Sequence, residues 1–166
     1  MSEMSLLDLL MTLPFLLGFV FQRVNRSDPE RVFIVVLSNE TNVADDCCAW
    51  ETASASIDGV KVRQPDTGVL FGFVGVADAA ITSGNYGLVQ VYGYRSTSRV
   101  FQTNTSQDTG NALTPTAGAA YLQSVATTLA SNTSITLQPI FAMLGETIAS
   151  SSASATISAK IFIRAL

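Results

Sequence analysis

Residues 71–94 read FGFVGVADAAITSGNYGLVQVYGY, and the reading of this stretch decides the fold. It holds five of the chain's eleven glycines: Gly72, Gly75, Gly84, Gly87 and Gly93. Around them lie two runs rich in β-branched and aromatic residues, 69–76 and 88–94, the composition of strands. Gly84-Asn85-Tyr86-Gly87 has turn composition, because glycine and asparagine tolerate the backbone angles that turns demand. The link 77–87 is longer than a two-residue turn, so the expectation is a wide or bulged antiparallel hairpin. Gly75, Gly84, Gly87 and Gly93 read as structural glycines that shape a sheet.

On either side, short strand signals recur between turns. Residues 32–37 (VFIVVL) form a six-residue apolar run, read as a buried strand. Residues 60–63 alternate as a half-buried strand does, and Pro65-Asp66-Thr67-Gly68 has the chemistry of a turn. The segment 47–56 reads as either short helix or strand, with Trp50 packing inward. After the hairpin, 100–103 suggests a brief strand and 104–116 a loop interrupted by Leu113. Tyr121, Val125 and Leu129 recur at i, i+4 and i+8, a helical stripe within 117–130. The threonines and Gly118 in that segment leave strands as the alternative. Residues 134–137 and 140–144 flank Pro139 as two short strands or one interrupted strand, and 149–154 (ASSSAS) has linker composition. At the C-terminus, Ile157, Ala159, Ile161, Ile163 and Ala165 alternate with Ser158, Lys160, Phe162 and Arg164. Period-two alternation over nine residues marks one strand of the core sheet. Together these signals give an all-β fold, a sandwich or barrel-like domain.

The start of the chain, MSEMSLLDLLMTLPFLLGFVFQ, is its most apolar part. Glu3 and Asp8 stand where a signal peptide carries basic residues, and no cleavage-site pattern follows. Pro14 and Gly18 interrupt an apolar run already shorter than the roughly 20 residues a spanning helix needs. Ser5 and Asp8 cap a short helix ending before Pro14, after which 15–21 runs extended. The resulting division is an apolar arm over 1–24 and a β-rich domain over 25–166. Leu6, Leu9, Leu10, Leu13, Phe15, Phe19 and Phe21 are the arm's candidate contact residues.

Charge and chemistry narrow the function. Only 13% of the 166 residues are charged, about half the usual share. Residues 1–78 carry eleven acids and five bases, while residues 79–166 carry two acids and four bases. Neither half has the clustered Lys and Arg of a nucleic-acid footprint. Between Gln102 and Ala159 the charged residues are Asp108 and Glu146 alone, which marks part of this stretch as intersubunit surface. The chain has no histidine, which removes Ser-His-Asp and Cys-His catalysis and most metal schemes. No phosphate-binding loop or dinucleotide fingerprint is present. Asp58 and Asp66 offer a carboxylate pair, but acids in loops are usually only solvated. The adjacent Cys47 and Cys48 read as buried free thiols, because one peptide link seldom accommodates disulfide geometry. Tyr86, Tyr92 and Tyr94 lack a basic groove and read as packing aromatics, with Gln90 and Arg95 as interface donors. The expectation is a non-enzymatic protein without cofactor or metal.

Phe73-Val74-Gly75-Val76-Ala77, followed by Ile81, Gly84, Gly87, Val89, Val91 and Gly93, has a further property. This cadence resembles the V-G-V-A … I-x-x-G-x-x-G-x-V-x-V-x-G signature of capsid decoration (cement) proteins of tailed bacteriophages, over roughly an eighth of the chain. The apolar arm departs from the simplest members. The resemblance implies a virion structural protein, made in the host cytoplasm and bound to the outer surface of an icosahedral head. Its partners would be the major capsid protein and itself, as a homotrimer, with neither nucleic acid nor membrane. Two alternatives stand beside it: a β-rich tail or fibre component, and a membrane-associated protein anchored by residues 6–21.

Overall fold

The computed structural model describes residues 20–23, 31–51, 61–65, 72–103, 105–125 and 140–165. These form twelve strands: β1 (Val20–Arg23), β2 (Arg31–Ser38), β3 (Cys47–Trp50), β4 (Lys61–Arg63), β5 (Phe73–Ala77) and β6 (Tyr86–Arg95), then β7 (Arg99–Gln102), β8 (Ala112–Pro115), β9 (Leu122–Ser124), β10 (Ala142–Leu144), β11 (Ala155–Ser158) and β12 (Ile161–Arg164). The protein is all-β, as its turn-punctuated sequence requires.

Five strands close on themselves. The order β2-β4-β3-β5-β6 returns to β2, because β6 pairs with both β5 and β2. Only β2–β4 is parallel in this ring. Its interior is filled by Val36, Cys48, Val62, Val74, Ala77, Ile81, Val89 and Val91, with Val32, Ile34 and Trp50 packed against them. Closure leaves these strands few free edges and lets a small set of β-branched side chains fill the centre. Each fully buried valine contributes about 1.5–3 kcal/mol relative to exposure.

A second layer continues from β6 in the order β12-β10-β8-β9-β7-β11. It encloses another core of Val100, Leu113, Leu122, Leu144, Ile161 and Ile163, among others, which reaches Cys47, Phe73 and Val76 on the barrel wall. β5 is therefore buried along its whole length, shared between two cores. A bulge makes the sharing possible. Cys48 pairs with Gly75 and Ala49 with Phe73, so Val74 is the extra residue. Phe73 and Val76 then face one core while Val74 and Ala77 face the other.

The central hairpin is present, with β5 antiparallel to β6 through Val76↔Gln90 and Ala77↔Val89. Gly75 is where backbone meets backbone: a Cβ there would lie 2.0 Å from the Gln90 carbonyl oxygen. Gly84 holds φ +79° in the turn, with open space around it. Gly87 and Gly93 lie within β6, Gly87 against Ile81 and Gly93 opposite Ile163.

Several expectations need correction. The C-terminal alternation is split into β11 and β12, with Ala159 and Lys160 between them. The cause is a corner in the partner strands. β12 pairs with β6 from Ile161↔Arg95, whereas β11 pairs with β7 up to Ser158↔Arg99, and the Ala159 amide donates to the Ser98 carbonyl. One long ladder turns a corner, and burial keeps its two-residue period through Ala159, Ile161 and Ile163. Leu113 is no loop interruption; it is fully buried in β8. Tyr121 and Val125 do not share a helix, because β9 runs between them, paired with β8 and β7. The segment 47–56 resolves to strand at its start. Residues 1–19, 52–60, 66–71 and 126–139, with Asp58 and Asp66, lie outside the described residues.

Candidate functional site

Polar side chains buried in this protein serve the architecture. Arg95, 7% exposed, donates to Asp45 Oδ1 from Nη2 at 2.7 Å and from Nε at 3.2 Å. It also reaches Asp78 at 3.2 Å, Gln90 Oε1 at 3.3 Å and the Ala77 carbonyl at 2.9 Å. Gln90, fully buried, donates to the carbonyls of Tyr92 and Tyr94. Gln90 and Arg95 are thus internal, not the interface donors expected from sequence. A guanidinium suits this place because its planar donors satisfy several acceptors at once. Next along the chain, Asp46 accepts from Arg99 Nη1 at 2.6 Å and from the Val43 amide at 2.8 Å. The loop before β3 is therefore stapled to both sides of the β6–β7 corner.

The same arrangement keeps the side chains of Asp45-Asp46-Cys47-Cys48 from converging on one point. The two carboxylates point at arginines, and the thiols point into different cores, as successive residues of a strand must. Both cysteines are free and buried. Burial, with the neighbouring Cys48 and Asp46 adding to it, pushes the Cys47 thiol far above its ordinary value. Burial and then Asp46 push Cys48 up to about 12. Such thiols are poor nucleophiles. Among the described residues no group of three His, Cys, Asp or Glu side chains is placed to hold a metal. Nor, among them, is any helix long and apolar enough to cross a membrane.

Among the described residues, two outward surfaces carry few or no charges. The first joins two loops distant in sequence. Gln107 and Ile148 exchange backbone hydrogen bonds at 2.9 and 2.8 Å, and the Gly110 amide donates to the Leu144 carbonyl. Thr109 and Thr147 hydroxyls meet at 3.3 Å, and Gln102 Nε2 donates to the Ala149 carbonyl at 2.7 Å. Thr105, Ser106, Thr109, Thr147, Ser150 and Ser152 are exposed there. The two charges of this stretch flank it, Asp108 exposed and Glu146 held by Lys160 at 3.1 Å.

The second surface is apolar. Val32, Ile34 and Val36 of β2 and Val89 and Val91 of β6 face the barrel interior. Alternation turns Val35, Leu37, Tyr86 and Leu88 to the outer face, where they form the cross-strand pairs Val35↔Leu88 and Leu37↔Tyr86. Leu88 is 41% and Tyr86 63% exposed, and Val35 and Leu37 are half-buried. Of the other tyrosines, Tyr92 packs edge-on against Phe162, with ring centres 5.4 Å apart.

Sequence reading named the arm but not this strip. Its signal was visible in 32–37, an apolar run that a strand with only one buried face would not need. Of the arm residues, Phe21 lies in β1, opposite Phe33 of β2. Leu6, Leu9, Leu10, Leu13, Phe15 and Phe19 lie outside the described residues. Compared with known proteins, the chain matches no family model and no curated sequence.

Proposed function

We propose that this chain is a structural, non-enzymatic virion protein that decorates the outer surface of an icosahedral phage head, where it bridges neighbouring major capsid subunits as a homo-oligomer. The observation that carries the reading is the sparsely charged, hydroxyl-bearing surface assembled from loops 105–111 and 145–154. A broad face with few charges binds chiefly by shape, apolar contact and hydrogen bonds, and it discriminates little by electrostatic attraction. Repeated engagement by several copies raises effective affinity without a strong single site. The resemblance of the β5–β6 hairpin to decoration proteins supports the same assignment, and its glycines do structural work compatible with it.

The test is co-sedimentation of the purified protein with assembled heads and with free capsid subunits, alongside its copy number in particles. Binding to heads only, with hundreds of copies per particle, is the expected result. A handful of copies would move the protein to the tail, and absence from particles would overturn the reading. Replacing Thr109 and Thr147 with aspartate adds two negative charges beside Asp108 and Glu146 and should abolish co-sedimentation while leaving the fold intact.

A further inference from the structure

β11 ends the sheet order. It pairs along one edge with β7, from Ala155↔Gln102 to Ser158↔Arg99, without a bulge. One bond in the same register gives the phase of that ladder: the Ala159 amide donates to the Ser98 carbonyl at 2.9 Å. In an antiparallel pair, positions that exchange hydrogen bonds alternate with positions that do not. Ala155, Ile157 and Ala159 are therefore the bonded positions, and the amides and carbonyls of Thr156 and Ser158 point away from β7. The Arg99 amide agrees, since it stands opposite Ser158 and donates away from β11, to the Asp45 carbonyl at 3.3 Å. Among the described residues no strand pairs with this second edge, and Ala155, Thr156 and Ser158 are exposed.

Edges of this kind are normally blunted by lysine, proline, a bulge or a covering segment. Here residues 147–159 hold neither charge nor proline. The edge is also self-complementary. Laid antiparallel about a two-fold axis at Ile157, Thr156 of each copy falls opposite Ser158 of the other, and the outward amides of one strand meet the outward carbonyls of its twin. Ile157 then meets its own copy in the close, non-hydrogen-bonded pair, with Cα atoms about 4.5 Å apart. In one chain Ile157 packs against the core around Leu113 and Ile161 yet stays half-buried, so this contact completes its burial. A charged edge repels its own copy and favours a partner of opposite sign. A neutral edge with an unfinished apolar contact at its midpoint suits itself.

We propose that β11 is the seam through which two copies of this chain join, its free edge pairing antiparallel with the same edge of a second copy so that the ladders run on as β7-β11-β11-β7. The seam does not depend on the decoration reading. It rests on the phase of the β7–β11 ladder and on the uncharged edge, and it holds for any function of the protein.

Thr156→Pro in the full chain tests it, because it removes an amide that points away from β7 and leaves the β7–β11 ladder whole. In analytical ultracentrifugation at micromolar concentration the unaltered chain should have twice its 17.6 kDa mass, and Thr156→Pro should return it to monomer with an unchanged circular dichroism spectrum. Ile157→Cys gives a second reading should the proline variant fold poorly. Mild oxidation should join two copies through residue 157, identified by peptide mass, while Ser152→Cys, exposed but outside the seam, should not be joined. Cys47 and Cys48 are buried and do not compete. A monomeric unaltered chain, an oligomer that survives Thr156→Pro, or oxidation that joins Ser152→Cys as readily as Ile157→Cys would overturn the proposal. Co-sedimentation with heads is read separately, so the seam and the decoration reading fail independently.

Discussion

Asp45 and Arg95 meet at 2.7 Å across fifty residues of sequence, and their pairing fixes the loop before β3 against the corner where β6 turns into β7. Asp45 holds φ at 72°, a left-handed conformation that Asp adopts more readily than most residues. The same Oδ1 accepts from Thr97 at 3.0 Å, so one carboxylate gathers both sides of the corner. Arg95→Leu should therefore destabilise by about 3–5 kcal/mol, because it leaves the Asp45 carboxylate without its guanidinium partner and the buried Gln90 Oε1 without the donor it has from Arg95. Arg95→Lys should recover only a fraction, since an ammonium cannot meet four acceptors in one plane. Asp78→Asn, at the 44% exposed partner, should cost much less. Urea denaturation of the three variants checks the order.

The glycines of the central hairpin should separate sharply. Gly75→Ala drives a methyl group into the Gln90 carbonyl at a position with no room on either side of β5, and should cost at least about 3 kcal/mol or prevent folding. Gly84→Ala meets no atom within 4 Å and pays only for its positive φ, about 1–2 kcal/mol. Thermal melts of both variants measure the difference, and equal losses would contradict this account of the bulge.

These contrasts show which parts of the fold were legible. Local signals were sufficient for β2, for the hairpin and for the two-residue burial period of the C-terminus, because each is written in side chains a few residues apart. The corner at Ala159-Lys160 was not legible, since its cause is a bend in β6–β7 some sixty residues earlier. Leu113 was misread for a related reason. Its strand is only four residues long, follows Asn111, includes Thr114 and Pro115, and gains its apolar environment from β9 and β10. The stripe of Tyr121 and Val125 imitated a helix because nothing in the sequence states that Leu122 belongs between β7 and β8. For the surfaces, the low charge of residues 103–158 was readable, but its gathering by the Gln107–Ile148 bridge was not.

The buried thiols make stability fall at high pH. In the unfolded chain cysteine ionises at about 8.5, while in the folded protein both thiols stay protonated well beyond that, Cys48 to about 12. The folded state therefore holds more protons than the unfolded state above pH 8.5. Stability is full below that value and declines above it, by at most about 1.4 kcal/mol per pH unit for each thiol. Cys47→Ala with Cys48→Ala should flatten the decline between pH 8.5 and 10.5 in urea titrations, at a cost in baseline stability. Iodoacetamide at pH 8.5 should label neither thiol until denaturant is added.

Glu146 gives the opposite dependence on a smaller scale. Its Oε1 accepts the Lys160 amide at 2.8 Å and its Oε2 the Lys160 ammonium at 3.1 Å, and these bonds, the amide first, hold its carboxyl below the ordinary value. Above about pH 4.3 both folded and unfolded chains are ionised and the contribution is complete. As pH drops through the lowered folded value, the unfolded chain takes up its proton first and the contribution is lost. Glu146→Gln should thus remove a small part of the acid limb of the stability curve and leave neutral pH nearly unchanged, because the pair is exposed and screened. The bond to the Lys160 amide matters more than the ion pair, since it holds the point where β11 gives way to β12. Lys160→Met keeps that amide and should cost less than Glu146→Ala, which loses both contacts; urea midpoints at pH 7 distinguish the two.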